Sequence, residues 1–160
     1  MSKIVQVDRH TIVQILGGLM NKPDLLNETD KYLLEPSDFS KQLDRFIFSA
    51  IYNLYVNGAE KIHAVDVDNY LKDNALAKQL MEKENGKVFL QDCEIESEVE
   101  NFYYYYNKLK KINLVRELQL SKDKVDQIYC EDVLNDHYIE INNKFEQMQT
   151  VDIINMLKSN

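Results

Sequence analysis

Five apolar residues near the C-terminus, Leu134, Tyr138, Ile141, Phe145 and Met148, are spaced four, three, four and three apart. That rhythm puts them on one narrow stripe of a helix, the pattern of a coiled-coil seam. Ile95, Val99, Phe102, Tyr106 and Leu109 repeat the same spacing upstream, and a polar break over 121–127 separates the two stripes. A helix with one apolar stripe needs a partner to cover it. Two such helices joined by a short connection bury each other as an antiparallel hairpin. The spacing therefore predicts a helical hairpin over 94–148. Its inner seam is Phe102, Tyr106 and Leu109 against Leu134, Tyr138, Ile141 and Phe145.

The rest of the chain also reads as helix. Only two prolines and four glycines punctuate 160 residues, too few for a sheet fold with many tight turns. His10 to Met20, HTIVQILGGLM, holds more apolar side chains than one face can carry, which predicts a buried helix. Gly17 and Gly18 in its interior each cost about 1 kcal/mol against alanine. That cost is tolerable where another helix must come close, or where the helix ends nearby. Pro23 suits the first position of a short helix over 24–32, and Ser37 or Ser40 can cap the next. Leu43, Phe46, Ile47, Ile51, Leu54 and Tyr55 then follow helical spacing, and this helix is expected to be the central one. Asn57 and Gly58 end it. Short helices are expected with Val67, Tyr70 and Leu71 inward, over 76–83, and with Phe89 and Leu90 buried. The fold class is all-α: a compact helical head over 1–93, a long antiparallel hairpin over 94–148, and a tail over 149–160. The tail's apolar residues Ile153, Ile154, Met156 and Leu157 have no evident cover within the chain.

Several chemistries are excluded or disfavoured. None of the four glycines sits in a GxxxxGK[ST] frame, so the chain has no P-loop for ATP. Asp66-Val67-Asp68-Asn69 opens like a calcium loop. However, Tyr70 stands at the fifth position, and Leu71 stands at the sixth, where the loop needs glycine. His10, His63 and His137 are scattered, and Asp136 beside His137 faces away on a helix. The carboxylates Glu94, Glu96 and Glu98 suit a helix N-terminus by dipole complementarity better than an acid–base pair. Cys93 and Cys130 lack metal or redox spacing and read as free thiols. A net charge of −8 argues against a direct grip on nucleic acid. No signal peptide or membrane-length apolar run is present, so a cytoplasmic location is expected.

The run Tyr103, Tyr104, Tyr105 and Tyr106 is the remaining unusual feature. Four consecutive helical residues point all round. Tyr103 and Tyr104 must therefore face the head, a second subunit or solvent. Exposed tyrosines favour protein interfaces.

These residues together resemble a known family. I-L-G-G-L-M (15–20), P-S-D-F (36–39), R-F-I-F-S-A-I (45–51) and Y-V-N-G (55–58) follow in the order seen in the N-terminal domain of DnaB-type replicative DNA helicases. The segments 63–71, N-G-K-V-F-L (85–90) and F-Y-Y-Y-Y-N-K-L-K-K-I-N-L-V-R-E-L (102–118) are similar to its later motifs. The second glycine at Asn85–Gly86 is absent, and the tyrosine run is unusual. Both point to a divergent member, encoded by a phage or mobile element or by a low-GC bacterium.

The resemblance implies a non-catalytic domain that docks primase or a helicase loader in the primosome. It implies oligomerisation through the hairpin, as a dimer or as a trimer of dimers in a hexamer. Phe102, Tyr103, Tyr104, Tyr106, Leu109, Ile112, Leu134, Tyr138, Ile141 and Phe145 would form the hairpin and its oligomer interface. Ile153, Ile154 and Leu157 would begin a linker helix. No cofactor is implied in this chain; ATP and Mg belong to a C-terminal motor domain. The alternative is a free-standing regulator or loader that binds a replicative helicase or primase. A reading frame running on into a Walker A motif would separate the two.

Overall fold

The computed structural model describes residues 7–117. The described residues form six helices and no strand: α1 (Arg9–Asn21), α2 (Gln42–Val56), α3 (Ala64–Leu71), α4 (Ala75–Lys83), α5 (Gly86–Glu96) and α6 (Phe102–Glu117). Single 3-10 turns lie at Pro23–Asn27, Pro36–Asp38 and Val99–Asn101. The chain divides into two compact units. Asp8–Tyr106 is one, and 107–117 belongs to the other. The first unit thus runs beyond residue 93, the expected edge of the head, and takes in the first turn of α6.

The crowded apolar segment becomes the centre of the fold. Every residue from 11 to 20 in α1 is buried. Its neighbours include both α2 and α5. The expectation that α2 is the central helix is therefore corrected. α2 buries Leu43, Ile47, Phe48, Ala50 and Ile51 on one side and leaves Tyr52 and Val56 exposed. Arg9 ties the two helices together. Its guanidinium donates to both oxygens of Asp44, at 2.6 and 3.1 Å, and stacks 4.6 Å above the Phe89 ring. A bidentate pair of this kind fixes direction as well as distance.

Gly17 explains how α5 reaches α1. A Cβ at Gly17 would overlap the carbonyl oxygen of Cys93 and stand 2.6 Å from the Ser97 Cβ. The backbone of α5 lies directly on α1 there, and no side chain fits between them. Cys93 is fully buried at this crossing, and burial first, then the nearby Asp44 carboxylate, pushes its thiol up to about 12. Polar residues flanking Gly17 on α1 take up the loose end of α5. The amide nitrogen of Gln14 donates to the Glu96 carbonyl, and its oxygen accepts from the Glu98 N–H, both at 2.9 Å. Asn21 donates to the Glu94 carbonyl at 3.1 Å and to the Ser97 hydroxyl at 2.7 Å. Carbonyls in the last turn of a helix have no partner within it. Here α1 supplies partners.

That arrangement corrects the expected start of the hairpin. No helix runs through 94–109. α5 stops at Glu96, Ser97 turns extended, and α6 begins only at Phe102. Ile95, expected on the seam, is 79% exposed. Glu94 and Glu96 stand at the end of a helix, not at its start. Glu94 still serves a helix N-terminus, that of α3. Its carboxylate accepts from the Ala64 N–H at 2.7 Å and meets His63 Nδ1 at 3.1 Å. First the Ala64 hydrogen bond, then that of His63, hold the Glu94 carboxyl below the usual carboxylate range.

Smaller differences have local causes. The short helix expected over 24–32 is one 3-10 turn, after which Tyr32 N–H bonds to the Glu28 carbonyl and its ring turns into the core. Neither Ser37 nor Ser40 caps α2; Arg45 instead reaches back to the carbonyls of Phe39 and Ser40. Tyr70 is exposed, while Val67 and Leu71 are buried as expected. Gly58 has φ +106°, the left-handed region that a helix end favours in glycine. The stripe Leu134, Tyr138, Ile141 and Phe145, and the tail residues Ile153, Ile154 and Leu157, lie outside the described residues. The return helix of the hairpin therefore does too.

Candidate interaction surface

The start of α6 brings three aromatic side chains, Phe102, Tyr103 and Tyr106, to Tyr32 in the segment that follows α1. Phe102 is buried, with its ring against Gly18, where a Cβ would come within 3.4 Å. Tyr32 is the hub: its ring centroid lies 4.8 Å from Phe102, 4.9 Å from Tyr106 and 6.4 Å from Tyr103. Edge and tilted contacts at these distances are favourable beyond simple burial. The Tyr106 hydroxyl accepts from the Leu33 N–H at 2.9 Å. Phe102 and Tyr106, expected on a hairpin seam, are therefore contacts of the head. In the second unit Leu109 and Ile112 are buried.

Tyr103 and Tyr104 do face outward. Each is 50% exposed. Lys31 lies over the Tyr103 ring at 4.8 Å and over the Tyr32 ring at 5.3 Å, a cation–π arrangement. Tyr104 packs edge-on to Tyr105, whose hydroxyl meets His10 Nε2 at 3.2 Å. The run thus splits by position. Tyr106 and part of Tyr103 serve the core, and the remainder presents rings to solvent.

Beside this cluster lies a feature that the sequence reading missed. The segment 25–36 and one face of α2 enclose a groove of about 470 Å³. Leu25, Leu26, Leu33, Leu34, Phe48 and Tyr52 line it, and Glu35 is its single charged wall residue. Both lips are apolar and open: Leu33 is 59% exposed and Tyr52 49%. Val56, one turn beyond Tyr52, is 62% exposed. The available signal was the pair of leucine doublets, Leu25-Leu26 and Leu33-Leu34, which carry more apolar surface than a turn requires. The exposure of Leu33 was not visible in any periodicity, because this segment has none.

Among the described residues no three His, Cys, Asp or Glu side chains are grouped to hold a metal ion. No helix among them is long and apolar enough to cross a membrane.

The family described as DnaB-like helicase N terminal domain matches residues 13–111. The chain is also similar to the SPbeta prophage-derived uncharacterized protein YorI of Bacillus subtilis (strain 168), at 31% identity over 128 residues. That alignment covers 80% of this chain and 25% of the relative, so the chain spans about a quarter of the length of the curated relative it matches. No solved structure matches.

Proposed function

The chain belongs to the DnaB-like helicase N-terminal domain family, and from that premise we propose that it acts as the collar domain of a replicative DNA helicase. In this reading it is a non-catalytic element through which helicase subunits associate and to which primase or a loader docks. The observation that carries the reading is the family match over 13–111, which spans the whole of α2 to α5 and most of α1. The exposed rings of Tyr103 and Tyr104 support it, because large aromatic side chains in water are characteristic of protein interfaces. ATP hydrolysis, with its Mg ion, belongs to a motor domain elsewhere in the parent protein.

Light scattering across a range of concentrations, with and without purified primase, tests the proposal. Self-association or a stable primase complex is the expected result. A monomer at every concentration that also ignores primase would overturn it.

A further inference from the structure

The groove beside α2 has an apolar floor, Glu35 lines it, and the segment that forms one of its walls carries three more acidic residues. Asp24, Glu28, Asp30 and Glu35 interleave with its leucines, and all four are exposed. None of them forms an ion pair among the described residues. The lone cation of the segment, Lys31, is drawn over the rings of Tyr32 and Tyr103. The segment is therefore net negative, in a chain whose net charge is already −8. The volume of about 470 Å³ falls within the roughly 300–1,000 Å³ of ligand-binding clefts. Only one charged group lines it, so it offers little to orient a small polar molecule.

We propose that this groove docks an amphipathic helix of a partner protein, one whose apolar stripe is flanked by lysine or arginine. The proposal rests on the docking role inferred above and specifies its location and the chemistry of the partner. Apolar anchors at i, i+3, i+4 and i+7 of such a helix fill the space between Leu33 and Tyr52 and continue along Val56. Its basic flanks meet Asp24, Glu28, Asp30 and Glu35, which steers encounter and fixes orientation. A second copy of this chain would bring the same carboxylates face to face, and repulsion disfavours that occupant. Phosphate-bearing surfaces, whether nucleic acid or anionic lipid, are disfavoured for the same reason.

The probe is a synthetic helical peptide of about 16 residues, roughly four turns, with leucine at the anchor positions and lysine elsewhere. The control peptide has glutamate in place of every lysine. Binding is read by fluorescence anisotropy and mapped by amide chemical shifts on the whole chain. The lysine peptide is expected to shift amides within 24–36 and 49–56, and the glutamate peptide to shift none. Leu33→Asp and Tyr52→Ser should each weaken binding about tenfold. Asp24→Asn combined with Glu28→Gln and Glu35→Gln should weaken it about threefold and flatten its salt dependence. All five positions are exposed or on the lip, and unchanged melting of each variant shows that the fold is kept. Binding of the lysine peptide elsewhere, equal binding of the two peptides, or self-association through this face would overturn the proposal. Primase supplies the separating measurement. Primase binding that survives Leu33→Asp overturns the groove and leaves the docking role standing. Absence of primase binding to the unaltered chain strikes the docking role, and the peptide result then decides the groove by itself.

Discussion

Where α1 crosses α5, the chain keeps glycine, glutamine and asparagine inside; beside α2, it keeps leucine and tyrosine outside. The two regions invert the usual placement of residue types in opposite senses. At the crossing, the polar groups are needed because two backbones meet. Gly17 removes a side chain, and Gln14 and Asn21 satisfy the backbone groups at the end of α5. Buried polar groups are acceptable when each finds a partner. Beside α2, by contrast, Leu33, Tyr52 and Val56 leave apolar area in water with no gain to the isolated fold. An apolar lip around a shaped groove marks an interaction site. The crossing therefore serves stability, and the open face is the groove proposed above as a docking site.

This contrast can be broken by substitution, and the largest effect should come from Gly17→Ala. The added methyl meets backbone at Cys93, not a flexible side-chain tip, so α5 must move. A loss of about 3 kcal/mol or more is expected in urea denaturation. A variant as stable as the parent would show that the crossing is not in backbone contact. Gln14→Leu follows. It leaves the Glu96 carbonyl and the Glu98 N–H without their Gln14 partner at a part-buried site. The expected cost is about 2 kcal/mol, since an orphaned group costs about 1–3 when fully buried and less where water reaches it.

Glu94→Ala should cost less, about 1 kcal/mol, as loss of an N-terminal helix cap does. Its effect carries a pH signature. The carboxyl is held below its ordinary value of 4.5 in the folded chain. The stabilisation is therefore full above that value and is lost as pH falls through the lower folded-state value. Melting curves of parent and variant should differ at neutral pH and converge in acid. A constant gap down to acid would mean that Glu94 acts by packing, not by charge. Tyr52→Ser sits at the other end of the scale. Its side chain is half exposed, and stability should change by no more than about 0.5 kcal/mol. A larger loss on thermal melting would place Tyr52 in the core and erase the distinction between the two regions.

Much of the first region was legible in the residues. The crowding of Ile12, Val13, Ile15, Leu16, Leu19 and Met20 announced a buried helix, and the Gly17-Gly18 pair was compatible with either a close approach or a nearby helix end. The partner in that approach was not legible. Gln14 and Glu96 are 82 residues apart, and no local pattern links them. Sequence spacing carried one helix across 94–109 because Ile95, Val99, Phe102, Tyr106 and Leu109 fit its period. The period is real, but two backbone ends held by α1 interrupt it.

What the sequence alone determined is the helical class, the buried character of α1, and the family, because these follow from local periodicity and from ordered short motifs. Tertiary structure decided where α5 ends, which of the tyrosines face the core, and that Leu33 and Tyr52 flank an open groove. Each of those outcomes depends on which distant backbone group or ring stands opposite. Hydrogen-bond satisfaction and packing act between neighbours in space, and a linear pattern records only neighbours along the chain.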